Sequence, residues 1–153
     1  MQLEILTYCD AATEHAGRLN IVGATDTLLL NSVPGKIAHC AFVMRFRVAR
    51  IEEGEHAVRV MVIDEDGGSL LNMEVKLNVR INSGMSGAIN MIVNAQNLEF
   101  QETGEYAVEV AMDGILIGST PLFIRSRLDE MIAQRQEQER IEDQHHSEDT
   151  VKE

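Results

Sequence analysis

Hydrophobic and polar positions alternate with a period of two over most of the first 125 residues, the mark of half-buried β-strands. In one stretch Phe42, Met44, Phe46 and Val48 fall on one side, and Val43, Arg45, Arg47 and Ala49 on the other. Read together with turn residues, the pattern predicts eight strands, at 2–9, 18–30, 37–50, 56–63, 71–81, 88–94, 105–112 and 115–125. Gly17 leads into the second and Gly23 bends it, while Val33-Pro34-Gly35 turns the chain into the third. The fourth should bury Val58, Val60 and Val62. The fifth should bury Val75, Leu77, Val79 and Ile81 and expose Glu74, Lys76, Asn78 and Arg80. Pro121 cannot donate to a ladder, so it marks an edge or a bulge in the eighth.

Part of this pattern occurs twice. Glu53-Gly54-Glu55-His56-Ala57-Val58-Arg59-Val60 returns as Thr103-Gly104-Glu105-Tyr106-Ala107-Val108-Glu109-Val110. Each copy runs into an acidic glycine turn, Asp64-Glu65-Asp66-Gly67 in the first and Asp113-Gly114 in the second. Short strands with such turns argue for an all-β antiparallel sandwich over residues 1–125 and against βαβ units. From Ser126 the texture changes. Leu128, Met131 and Ile132 recur at helical spacing, Ser126 can cap the helix, and Asp129 and Glu130 suit its first turn. Residues 126–153 therefore read as an acidic tail, helical at first and disordered from about His145, with only Ile141 and Val151 apolar beyond Ala133.

The second copy of the repeat resembles the tyrosine corner of immunoglobulin-like sandwiches. Tyr106 matches the corner residue, and Val108 stands where the second core cysteine would be. With Val there and no Trp, the resemblance implies a sandwich without the antibody-type disulfide core. His56 takes the Tyr position in the first copy. Residues 1–125 also resemble a small bacterial family of uncharacterised β-sandwich domains. The matching features are Leu3-Glu4-Ile5-Leu6, Cys9-Asp10-Ala11-Ala12, Gly17-Arg18-Leu19-Asn20-Ile21, Gly23-Ala24 and Asp26-Thr27. Arg50-Ile51-Glu52-Glu53-Gly54-Glu55-His56, Leu77-Asn78-Val79-Arg80 and Gly104-Glu105-Tyr106 continue the match. The resemblance implies a fold and carries no activity with it.

Composition narrows the function. With 153 residues the chain can bury a core unaided, and its 4% aromatic content makes that core aliphatic. A formal charge of −12 opposes nonspecific binding to nucleic acid or an anionic membrane. No apolar run approaches the roughly 20 residues of a membrane span, and Met1-Gln2-Leu3-Glu4 lacks the basic start of a secretory leader. A cytoplasmic location is expected, with Cys9 and Cys40 as free thiols.

Candidate chemistry is sparse. Asp64 and Asp66 in the 64–68 turn are the nearest approach to a Ca²⁺ site, but the further carboxylates of a calcium loop are missing, and Asp and Gly also serve a plain turn. Cys9, His15, His39 and Cys40 lack zinc-ligand spacing, since adjacent His39 and Cys40 would point to opposite faces of a strand. Gly84-Met85-Ser86-Gly87 is not a nucleophile elbow, and no phosphate-binding glycine motif occurs. No cofactor is expected. If the alternation holds, Arg45, Arg47, Arg59, Lys76 and Arg80 face outward and could form a positive patch for an acidic partner or anion; otherwise they pair across strands with neighbours such as Glu74 and Glu109. Leu128, Met131 and Ile132 could dock a partner. The resulting expectation is a non-catalytic protein-interaction module, an adaptor or assembly subunit of the bacterial cytoplasm, binding another protein or a second copy. The alternative is a small-ligand or Ca²⁺-binding domain using the 64–68 turn or the basic face.

Overall fold

Phe42, Met44, Phe46 and Val48 are all fully buried, and the strand that carries them, β5 (Gly35–Ala49), runs through the middle of the molecule. The computed structural model describes residues 1–150. Here β5 lies between β1 (Gln2–Cys9) and β8 (Ser86–Phe100) in a three-stranded antiparallel sheet. The facing sheet has five strands in the order β4 (Thr27–Leu30), β10 (Ile115–Ser126), β9 (Gly104–Met112), β6 (Gly54–Ile63) and β7 (Ser69–Val79). Its pairs are antiparallel except β4 with β10, which run parallel. From this sheet Val58, Val60, Val62, Val108, Val110 and Leu122 point inward with no exposed surface. Each such side chain stabilises the fold by on the order of 1.5–3 kcal/mol relative to exposure.

A separate hairpin, β2 (Ala11–His15) with β3 (Arg18–Val22), lies on the outer face of the smaller sheet. Its Ala12, Leu19 and Ile21 cover Cys9, Ala41 and Val43, which is why Val43 is buried although it faces away from the main core. On one side the two sheets close where Leu3 packs on Gly118; a Cβ there would fall 2.2 Å from Leu3 Cδ2, so only Gly fits without displacing Leu3. On the other side β7 and β8, each the last strand of its sheet, leave a groove of about 620 Å³ between them.

Four expectations need correction. The strand predicted at 18–30 is two, β3 and β4, in different sheets: Gly23, with φ at +68°, turns the chain between them. Residues 11–15, assigned to no strand, form β2. The strand predicted at 88–94 extends over Ser86–Phe100, because pairing with β5 continues past Asn97 despite its positive φ of 52°. Val75 does face inward, paired opposite Val58, yet stays 37% exposed because no strand among the described residues flanks β7 on its far side.

At the end of β10, Ser126 is buried and its Oγ accepts the Asp129 amide at 3.3 Å, the predicted helix cap. Helix α1 (Arg127–Thr150) then continues past His145, where the sequence predicts disorder; its Gln, Glu and Arg are good helix formers and no Gly or Pro interrupts them. Val151 lies outside the described residues. Pro121 sits just ahead of the point where β4 joins β10 at Phe123, on a stretch with no partner on that side.

Candidate interaction surfaces

The sequence repeat has a structural counterpart. Tyr106 is buried edge-on against Phe100, with centroids 5.2 Å apart, and its hydroxyl donates to the Glu102 carbonyl at 3.0 Å. This is the tyrosine corner, with Val108 fully buried two residues on. In the first copy, His56 Nε2 lies 2.8 Å from the Glu52 carbonyl, again four residues upstream. The preceding glycines match too, with φ of +143° at Gly54 and +150° at Gly104.

Histidine adds a second bond that Tyr cannot make. His56 Nδ1 lies 2.7 Å from an Asp113 carboxylate oxygen. Both acceptors are oxygens without a hydrogen to give, so both ring nitrogens donate and the ring is an imidazolium. The Asp113 hydrogen bond, helped by the Glu52 carbonyl, holds the His56 pKa above its ordinary value; the same bond holds Asp113 below its own. The other Asp113 oxygen accepts the Ala57 amide at 2.9 Å. His56 thus ties the short 3-10 helix Arg50–Glu52 to the Asp113-Gly114 turn at one pole of the sandwich. Around that pole Ile51, Met85, Ile115 and Leu116 are 94%, 79%, 69% and 55% exposed, apolar side chains whose exposure the strand pattern gave no reason to expect.

The five basic candidates do not share a face. Arg45 and Arg47 lie on the smaller sheet, where both reach Glu4, at 3.0 and 2.8 Å. The Arg47 hydrogen bond is the main reason the Glu4 carboxyl is held below its usual range. Arg59 and Lys76 lie on the other sheet, paired with Glu74 at 2.8 Å and Glu55 at 3.0 Å. Arg80 follows β7 at the His56 pole, beside Glu53 and Asn78. The strands bearing these residues belong to two different sheets, so the condition for a single positive patch is not met, and Arg59 instead takes the cross-strand alternative with Glu74.

The opposite pole is acidic. Asp64, Glu65, Asp66, Glu102 and Glu105 line one depression beside Tyr106, and Glu99 stands on the adjoining groove. Lys36 meets Glu99 at 3.4 Å; among the described residues no ion pair joins the other five to a cation. Asp64 Oδ1 accepts the amides of Asp66 at 3.1 Å and Gly68 at 2.6 Å, so this carboxylate is engaged in shaping the turn. Among the described residues no three metal-ligating side chains converge. Burial pushes both thiols up, and Cys9 and Cys40 are free.

Two further surfaces are apolar. On α1, Leu128, Met131 and Ile132 are 52%, 58% and 46% exposed. The groove between β7 and β8 is lined by Leu70, Leu71, Met73, Ala95 and Leu98. Leu71, Met73, Val75 and Leu77 face inward from β7 yet none is fully buried, whereas Val58, Val60 and Val62 on neighbouring β6 are. Sequence reasoning missed this groove because it depends on strand order.

These features define an immunoglobulin-like antiparallel β-sandwich bearing a C-terminal helix. Residues 4–125 match DUF6941, a family of unknown function, and the chain belongs to that family. No curated protein matches it. Among solved structures it is similar to an immunoglobulin-like protein from Pseudomonas aeruginosa, at 15% identity and a TM-score of 0.37, over 82% of this chain and 98% of that one. It is also similar to an alkylpurine DNA glycosylase from Pseudomonas fluorescens solved with DNA containing an abasic site analog, at 9% identity and a TM-score of 0.48, over 82% of this chain. The chain spans 30% of that glycosylase's length.

Proposed function

We propose that this protein is a non-catalytic protein-interaction module of the bacterial cytoplasm, an adaptor or assembly subunit. The observation that carries the reading is the free edge of β7. An eleven-residue strand at the end of its sheet leaves backbone groups unpaired along one side, and its inward row is only half covered. Such an edge is a template for another chain. The exposed apolar residues of α1 and of the His56 pole support the same reading. No helix among the described residues is long and apolar enough to cross a membrane.

The test is co-purification from the native host, with the full chain beside a version ending at Arg125, followed by reconstitution of the purified pair. A stoichiometric partner that reassembles in vitro is the expected result. Partnerless protein in both preparations would sink the reading. Binding by the full chain alone would assign the contact to α1.

A further inference from the structure

We propose that the β7 edge binds an extended, basic segment of another protein as an added strand, its apolar residues alternating and its cationic end over the acidic pole. This inference rests on the interaction reading above and adds the chemistry of the partner.

Three observations converge on that occupant. First, β7 pairs with β6 on one side only, so its unpaired N–H and C=O groups can be satisfied by a strand and not by a helix. Second, an added strand places alternate side chains on the inner face of the sheet. Those side chains would lie beside Leu71, Met73 and Val75, the inward residues that the fold leaves partly exposed. The seven residues Ser69–Val75 extend about 20 Å, so a segment of about seven to nine residues covers the edge. Third, β7 begins in the turn that bears Asp64, Glu65 and Asp66, with Glu102 and Glu105 across the depression. A strand following β7 to that end meets several carboxylates, of which among the described residues only Glu99 is paired, with Lys36, so lysine or arginine there gains attraction and an acidic segment is repelled. The same field disfavours this chain's own tail, where residues 126–153 carry nine acidic and four basic groups.

A display library of random nonapeptides panned on the full chain tests the proposal. The expected clones alternate apolar residues and carry Lys or Arg towards one end. A labelled synthetic copy of the strongest clone is then titrated by fluorescence anisotropy. Its affinity should fall at least tenfold in Val75→Lys, which puts a charge on the inward edge row, and in Asp66→Lys/Glu102→Lys. A copy N-methylated at alternate residues, which leaves the protein untouched, should also lose binding. Failure to enrich any clone, enrichment of acidic clones, or full affinity of the N-methylated copy would overturn the proposal. So would a wild-type dimer that Val75→Lys dissolves, since the edge would then serve a second copy. If a natural partner reconstitutes equally well on Val75→Lys, the interaction reading stands and this assignment of the edge falls.

Discussion

Replacing Tyr106 by Phe removes one oxygen and leaves the ring on Phe100. The lost bond is the 3.0 Å donation to the Glu102 carbonyl. Glu102 is an exposed residue, so water can reach the freed carbonyl, and no buried acceptor is left orphaned. The net cost is therefore that of one ordinary hydrogen bond, about 1 kcal/mol. For a chain of this size that corresponds to a fall in Tm of about 2–4 °C. Tyr106→Ala also deletes a buried ring and should cost about 3–5 kcal/mol. Urea denaturation followed by circular dichroism measures both, with the slope against urea unchanged for Tyr106→Phe. Burial raises the Tyr106 pKa, so the hydroxyl stays protonated and the Phe penalty should be flat with pH below the ordinary tyrosine value of about 10. A Phe variant as stable as wild type would refute the corner as a stabilising contact. One as damaged as the Ala variant would mean that the hydroxyl does far more than a single bond.

The His56 corner should behave differently. Its folded-state pKa is raised, so its contribution is complete below roughly pH 6.5 and is lost as pH rises through the folded value; that of Asp113 is complete above roughly pH 3.9 and is lost as pH falls through its lowered value. Wild type should exceed His56→Gln in stability most between about pH 4 and 6.5, with the gap narrowing towards pH 9; a gap that widens with pH would contradict the imidazolium assignment. Calcium at millimolar concentration should leave the melting temperature unchanged, because Asp64 is occupied by backbone amides. Arg45→Ser/Arg47→Ser should leave partner binding intact, since both side chains are held by Glu4; loss of binding would restore them to the contact surface. Cys9 and Cys40 are fully buried and should resist a thiol reagent until urea unfolds the chain.

The period-2 pattern was enough to locate most strands, because Phe42, Met44, Phe46 and Val48, and likewise Val58, Val60 and Val62, keep one face apolar at every second position. It failed where burial came from elsewhere. The β2–β3 hairpin is short, and four of the five residues of β2 and three of the five of β3 stay exposed, so Gly23 reads as a bend in one strand and not as a passage between sheets. The Tyr106 corner could be read from local residues, since the bond spans four positions. The His56–Asp113 contact spans 57 positions and depends on β6 pairing with β9. Arg45 and Arg59 look equivalent in sequence because alternation assigns a face but not a sheet. The β7 groove was illegible for the same reason: Val75 differs from Val58 only in having no strand beyond it.

Hydrogen exchange on the reconstituted complex reports whether the β7 edge is the contact. With partner bound, amides of Ser69–Val79 that face away from β6 should become protected, while α1 and the His56 pole exchange as in the free protein. Protection confined to α1, or to the segments around Ile51, Met85 and Ile115, with β7 unchanged, would contradict the account.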